Sequence, residues 1–128
     1  MSDAEDDREL TLVEARFRAL VHEWDLGRSQ VAALLGVDAA ELGLDLVPRV
    51  PSAPAERRLR MLVELRGLVP ALLRDDRDVP VWLRAVPADM VDGTGAPLPS
   101  PLAFLCGPSA NISAMVAALR TELSRRTA

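Results

Sequence analysis

The sequence predicts an all-α protein, and three observations indicate this class. Apolar residues recur every three or four positions in several segments, as they do on the buried face of a helix. No segment shows the strict apolar–polar alternation that is typical of a half-buried strand. The 10 prolines fall mostly between the periodic segments, where each removes a backbone donor and restricts the preceding residue. These breaks predict several short helices joined by loops.

Length and composition limit the class of protein further. A chain of 128 residues with 49% apolar residues is of the size of one domain and can bury a core. No apolar run approaches the roughly 18 residues that a membrane span needs. The acidic N-terminus has no basic region followed by an apolar one, so we expect no secretory signal. The single cysteine, Cys106, excludes an intrachain disulfide. We therefore expect a cytoplasmic protein, and its net charge of −4 disfavours nonspecific binding to nucleic acid.

The N-terminal segment divides into an acidic tail and an amphipathic helix. Residues 1–9 hold five acids and no large apolar residue after Met1, which predicts a solvated, disordered tail. From Leu10 to Asp25 the apolar residues follow steps of three, four and one, which predicts a helix with one apolar face. That face consists of Leu12, Val13, Phe17, Leu20, Val21 and Trp24.

We assign residues 10–50, which include this amphipathic helix, to a helix-turn-helix-like region. The sequence predicts a short helix that ends at Gly36 and a second helix that Asp38 caps. A helix that reads bases carries Arg, Asn, Gln, Ser or Thr near its start. The predicted second helix, residues 38–45, instead contains three acids, which repel phosphates. DNA binding is therefore expected to be weak or absent, and the candidate phosphate contacts are Arg28, Ser29, Gln30 and Arg49.

The predicted third helix begins near Ala55. Its buried stripe consists of Leu59, Leu62, Leu65 and Val69. Its charged residues are expected to be mostly solvent-facing, namely Arg57, Arg58, Arg60, Glu64 and Arg66. Gly67 and Pro70 should kink or split this helix, because a proline there cannot donate to the carbonyl four residues earlier. A short helix from Val79 and a last amphipathic helix, residues 111–124, complete the prediction.

No arrangement of residues indicates catalysis. His22 stands without a Cys or Ser partner nearby, and Cys106 lies in an apolar Leu-Cys-Gly context that favours a structural thiol. The acids at Asp75, Asp76 and Asp78 lack the glycine and the distant glutamate of a calcium loop. We therefore expect a protein that is not an enzyme and that uses no metal and no cofactor.

The order of motifs in the second half resembles that of the Xre/MbcA/ParS antitoxins. The matching pieces are Arg58-Leu59-Arg60-Met61-Leu62, then Trp82, Pro87, Pro101-Leu102-Ala103-Phe104-Leu105 and the last amphipathic helix. The resemblance covers roughly Arg28 to Leu123 and implies that residues 55–128 form a helical toxin-binding region. In the fold that it implies, a helix-turn-helix-like N-terminal half packs on a small C-terminal module. Trp82, Leu102, Phe104 and Leu105 would anchor that module's core.

This resemblance implies an antitoxin that neutralises a RES-domain, NAD-consuming toxin by occluding its active site, with transcriptional autoregulation as a second role. The implied partner is the cognate toxin, and the implied assembly contains a homodimer of this chain. The implied toxin-binding residues are Ser124, Arg125, Arg126, Thr127 and Ala128. The loop between Pro87 and Pro101 is the alternative blocking element. Two other functions stay open, a DNA-binding transcriptional regulator and a helical adaptor unrelated to toxins.

Overall fold

The computed structural model describes residues 3–50, 52–73, 78–86, 93–95 and 98–127, and within them the chain is all-α, as predicted. The elements are α1 (Asp3–Glu23), α2 (Arg28–Leu35), a 3-10 turn (Ala39–Glu41), α3 (Ala53–Leu72), α4 (Val79–Arg84), α5 (Pro101–Leu105) and α6 (Ser109–Thr127). No strand occurs in these ranges, and Leu42 and Pro48 form an isolated antiparallel bridge. Asp75, Asp76 and most of the loop between Pro87 and Pro101 lie outside the described residues.

Helix α1 is longer than the sequence predicted. It begins at Asp3, so residues 3–9, which we expected to be a disordered tail, form its first turns. Acidic side chains at a helix N-terminus interact favourably with the helix dipole, and this interaction stabilises first turns that make few apolar contacts. Glu9 also forms an ion pair with Arg60 of α3 at 3.1 Å. The acids that indicated a tail are thus compatible with a helix start.

The core forms where α3 packs between α1 and α6. Phe17 and Leu20 of α1, and Trp24 directly after it, are at most 2% exposed, as predicted, although Leu12 of the predicted face is 50% exposed. All four residues of the predicted α3 stripe are buried. Because a buried stripe lies on one side of each helix, these helices meet along their apolar faces.

The second helix predicted from Asp38 is not formed, so the helix-turn-helix arrangement is not confirmed. Helix α2 does end as predicted at Gly36, whose φ of 72° is a left-handed conformation that favours glycine. After Asp38 the chain makes only the 3-10 turn, and residues 42–50 then form a bent loop. The amide of Gly43 donates to the carbonyl of Val47, and that of Arg49 to the carbonyl of Glu41. These hydrogen bonds replace the backbone hydrogen bonds that a second helix would have formed.

Helix α3 remains a single helix through Pro70. It begins after Ser52, whose hydroxyl accepts a hydrogen bond from the amide of Ala55, and it ends at Leu72, two residues beyond the proline. The predicted split at Pro70 therefore does not occur. Pro70 lies close to the C-terminal end of α3, so the backbone donor that it lacks is missing only from the last turn.

The C-terminal part consists of α4, α5 and α6. Leu102 and Leu105 are buried as expected, whereas Trp82 is only half-buried and packs at the edge of the core. Phe104 is also half-buried. The fully buried residue of α4 is Leu83, at 0% exposure. The core tryptophan of this protein is therefore Trp24, and Trp82 is a peripheral residue.

Candidate functional site

Arg58 lies at the junction of three helices. It is 6% exposed, although the sequence predicted that it faces solvent. Its guanidinium donates to the carbonyl oxygens of Ala33, Leu34, Leu105 and Gly107 and to the hydroxyl of Ser109. The shortest of these bonds joins Nε to the carbonyl of Leu34 at 2.7 Å. We call this set of contacts the Arg58 junction.

The Arg58 junction satisfies carbonyls at two helix C-termini. Leu34 lies in the last turn of α2, and Leu105 is the last residue of α5. Carbonyls in such positions lack partners within their own helix, and they carry the negative end of the helix dipole. The guanidinium of Arg58 thus binds the C-terminal ends of both α2 and α5. Burial lowers the pKa of Arg58, but a guanidinium remains charged at any physiological pH.

Cys106 lies next to this cation, at the cap of α5. It is partly buried, and burial raises the pKa of its thiol, while the positive charge of Arg58 has the opposite, smaller effect. A raised pKa keeps the thiol protonated at neutral pH, and a protonated thiol is a poor nucleophile. The position agrees with the structural role that the sequence predicted for this cysteine.

A second arginine joins α4 to the end of α1. The guanidinium of Arg84 donates to the carbonyl oxygens of Trp24 at 3.1 Å and Asp25 at 2.6 Å, just beyond the end of α1. Asp25 has a φ of 54°, which is uncommon for a residue with a side chain. The Arg84 bonds hold the chain in this turn, and they place α4 against α1.

Three of the four predicted DNA-contacting residues use their side chains in hydrogen bonds within the chain, whereas Ser29 is exposed. Arg28 donates to the carbonyls of Ala39, Leu42 and Gly43 at 3.1–3.2 Å. Arg49 donates to the carbonyl of Ala40, and the side chain of Gln30 accepts the amide of Gly27. Arg28 and Arg49 thus hold the 3-10 turn and the loop after it in place.

The predicted toxin-binding residues form the last turn of α6 rather than a free tail. Arg125 and Arg126 are exposed, and each forms an ion pair with Glu122, at 3.2 Å and 3.3 Å. Ser124 is also exposed, and Thr127 ends the helix. Ala128 lies outside the described residues. Cations in the last turn interact favourably with the helix dipole, so this end of α6 is stable as a helix.

Sequence reasoning missed the roles of Arg58 and Arg84. A signal for Arg58 existed, since it lies four residues before Leu62 and seven before Leu65, on the apolar stripe of α3. A charged residue on such a stripe is buried only with partners, and here the partners are carbonyls at the ends of α2 and α5. The bonds of Arg84 depend on the end of α1, which is remote in sequence and therefore invisible in any local pattern.

Comparison of the chain with protein-family models, with curated proteins and with solved structures gives no match. The described residues contain no cluster of three or more histidines, cysteines or acids placed to hold a metal ion. Among the described helices, none combines the length and the apolar character that crossing a membrane requires.

We expect the isolated protein to bind its own promoter DNA weakly or not at all at about 150 mM salt, where screening weakens phosphate contacts. The 3-10 turn offers no helix for the major groove, and Arg28 and Arg49 already bind carbonyls. An electrophoretic mobility shift with specific and scrambled promoter fragments measures this. Nanomolar binding that distinguishes the two fragments would contradict the expectation.

Proposed function

We propose that this protein is an antitoxin that binds a RES-domain, NAD-consuming toxin through its C-terminal helices and blocks the toxin's active site. The proposal rests on the resemblance of the motif order to that of Xre/MbcA/ParS antitoxins. The fold supports it, because a small all-α domain with exposed helix ends suits binding to another protein.

The Arg58 junction is the observation that carries the proposal furthest. The two leucine-rich motifs of the resemblance are far apart in sequence, yet Arg58 of the first binds the carbonyl of Leu105 in the second at 3.3 Å. It also binds Ser109, the first residue of α6, at 3.0 Å. The motifs therefore form one packed unit that fixes the start of α6. A helix fixed at its start can present its other end to a partner.

The end of α6 suits the blocking role in charge and exposure. Arg120, Arg125 and Arg126 are all more than half exposed, and the last two share one carboxylate, that of Glu122. In a site that consumes NAD, catalytic carboxylates often lie near the nicotinamide ribose. Cationic side chains on a helix end can compete for such groups.

The region that would read DNA supports the antitoxin role over that of a transcriptional regulator. Regulators of the helix-turn-helix class insert a second helix into the major groove. In this chain that position holds the 3-10 turn followed by a loop with a fully exposed Leu44.

Truncation after Leu123 is expected to abolish neutralisation while leaving the fold intact. Of the residues removed, Ser124, Arg125 and Arg126 are exposed, and none of these three belongs to the core. Replacing Arg125 and Arg126 by glutamate should weaken neutralisation in the same direction, because charge reversal creates repulsion at an acidic site. The measurement is NAD consumption by the cognate RES-domain toxin that the proposal requires, with each purified variant added.

Arg57→Glu is the matched control, since Arg57 is an exposed arginine of α3 that makes no ion pair within the described residues. It should inhibit like the unaltered protein. Full inhibition by the truncated chain would move the blocking surface to another element, with the loop between Pro87 and Pro101 next to be tested. No inhibition by the unaltered protein would overturn the antitoxin function itself.

A further inference from the structure

Two adjacent surface depressions flank the loop that leads into α3. The first lies between α1, this loop and the start of α3, and the second lies between the loop and the 3-10 turn. Pro48 and Ser52 line both depressions, so the two adjoin, and we call them together the Pro48 surface. The other lining residues are Leu10, Glu14, Val47, Ala55, Glu56 and Leu59 in the first depression and Val37, Asp38, Ala40, Glu41, Arg49 and Val50 in the second.

Both depressions offer apolar contact area. Val47, Ala55 and Leu59 are buried, so the first depression has an apolar base. In the second depression Val37 is half-buried and Val50 is 78% exposed. Apolar side chains of a partner can therefore bury surface here that now faces water.

The Pro48 surface carries an excess of negative charge. Its acids are Glu14, Asp38, Glu41 and Glu56. Among the described lining residues the only cation is Arg49, and its guanidinium already donates to the carbonyl of Ala40. Arg60, outside the lining, forms an ion pair with Glu56 but also one with Glu9, so including this group leaves the negative excess unchanged. Such a surface attracts cations and repels the phosphates of a nucleic acid.

Glu14 strengthens the case for a cationic partner. It is half-buried, and its carboxylate makes neither a hydrogen bond nor an ion pair with the described part of the chain. Water therefore solvates this carboxylate in the free protein. A partner that covers the first depression removes that water, and an ionised group without a replacement partner is costly to bury. The covering molecule has to bring a cation to Glu14.

We propose that the Pro48 surface docks a basic segment of a partner protein, which places apolar side chains in the depressions and lysine or arginine side chains beside Glu14 and the acids of the 3-10 turn. Charge complementarity defines this class of partner. The lining residues belong to α1, α3 and the chain between α2 and α3, and none lies on α6. The proposal is therefore independent of the antitoxin function, since a toxin held at the end of α6 leaves the Pro48 surface open. Binding through exposed charges is expected to weaken as salt increases.

Fluorescence anisotropy with a labelled, short amphipathic peptide of leucine and lysine tests the proposal on the full chain. The peptide should bind at low ionic strength. A peptide with glutamate in place of every lysine should not bind, and one with serine in place of every leucine should bind more weakly. Equal binding of the acidic and the basic peptide, or no binding of the basic one, would overturn the proposal.

Variants of the chain locate the contact. Glu14→Arg should weaken binding of the basic peptide about tenfold, because an attractive contact becomes repulsive. Val50→Ser should weaken it through the loss of apolar contact. Asp78→Arg and Val81→Ser are the matched controls, since both side chains are exposed and lie at α4, away from the Pro48 surface. Circular dichroism of each variant verifies folding. Equal weakening by Glu14→Arg and Asp78→Arg would show that net charge alone binds the peptide, and the proposal would be wrong.

Chemical crosslinking gives an independent test, because the chain contains no lysine. A carbodiimide joins carboxylates to amines, so the lysines of the bound peptide become linked to the acids that they contact, and no lysine of the chain competes. Mass spectrometry should find the peptide attached mainly to Glu14, Asp38, Glu41 and Glu56. Attachment spread evenly over the acids of all the helices would contradict docking at the Pro48 surface.

Discussion

Replacing Arg58 by alanine is expected to lower the free energy of unfolding by roughly 3–5 kcal/mol, because several buried carbonyls lose their donor at about 1–3 kcal/mol each. The affected carbonyls lie at the ends of α2 and α5, where no other described donor replaces the guanidinium. A domain of this size has a total stability of about 5–15 kcal/mol. The variant should therefore melt far below the unaltered protein, as urea denaturation followed by circular dichroism would show.

Arg58→Lys separates charge from geometry in this test. An ammonium is a compact group with three donors, so it cannot reach acceptors on α2, α5 and α6 together, as the planar guanidinium does. We expect an intermediate loss of about 2 kcal/mol. Arg57→Ala, one residue earlier on the exposed side of α3, should change stability by no more than about 0.5 kcal/mol. If Arg58→Ala and Arg57→Ala had equal effects, the structural role of the Arg58 junction would be wrong.

Trp24→Ala is expected to cost about 3–5 kcal/mol, since it removes a large buried side chain and leaves a cavity. Trp24 is 2% exposed and packs in the core that α1 and α3 share. Trp82→Ala should cost only about 1–2 kcal/mol, because Trp82 is half-buried and loses less apolar contact. Denaturant midpoints of the two variants, measured with equal m-values, provide the comparison.

Tryptophan fluorescence offers a further check on this pair, since these are the only 2 tryptophans of the chain. The Trp82→Ala variant reports on Trp24 alone, and its emission should be that of a buried indole, unaffected by an aqueous quencher. The Trp24→Ala variant, studied where it is still folded, should be quenched partially. A larger destabilisation from Trp82→Ala than from Trp24→Ala would show that the edge of the core, rather than its centre, holds the fold together.

The sequence by itself determined the class of the fold and the main buried faces. Three predicted features are observed. They are the buried stripe of α3 from Leu59 to Val69, the buried residues Phe17 and Leu20 of α1, and the end of α2 at Gly36. These features depend on spacing and on backbone preference within a few residues. Helical period and glycine conformation act locally, so a local pattern carries them.

Only the tertiary structure decided that the second helix is absent, that Arg58 is buried and that Trp24 rather than Trp82 lies in the core. Asp38 caps a helix start equally well for one turn or four, and the guanidinium of Arg28 donates to the carbonyls of Ala39, Leu42 and Gly43, which holds the chain in a 3-10 turn and a loop. Arg58 finds its acceptors about 24 to 51 residues away. Such partners come together only when the helices pack, and so no pattern along the chain could assign them.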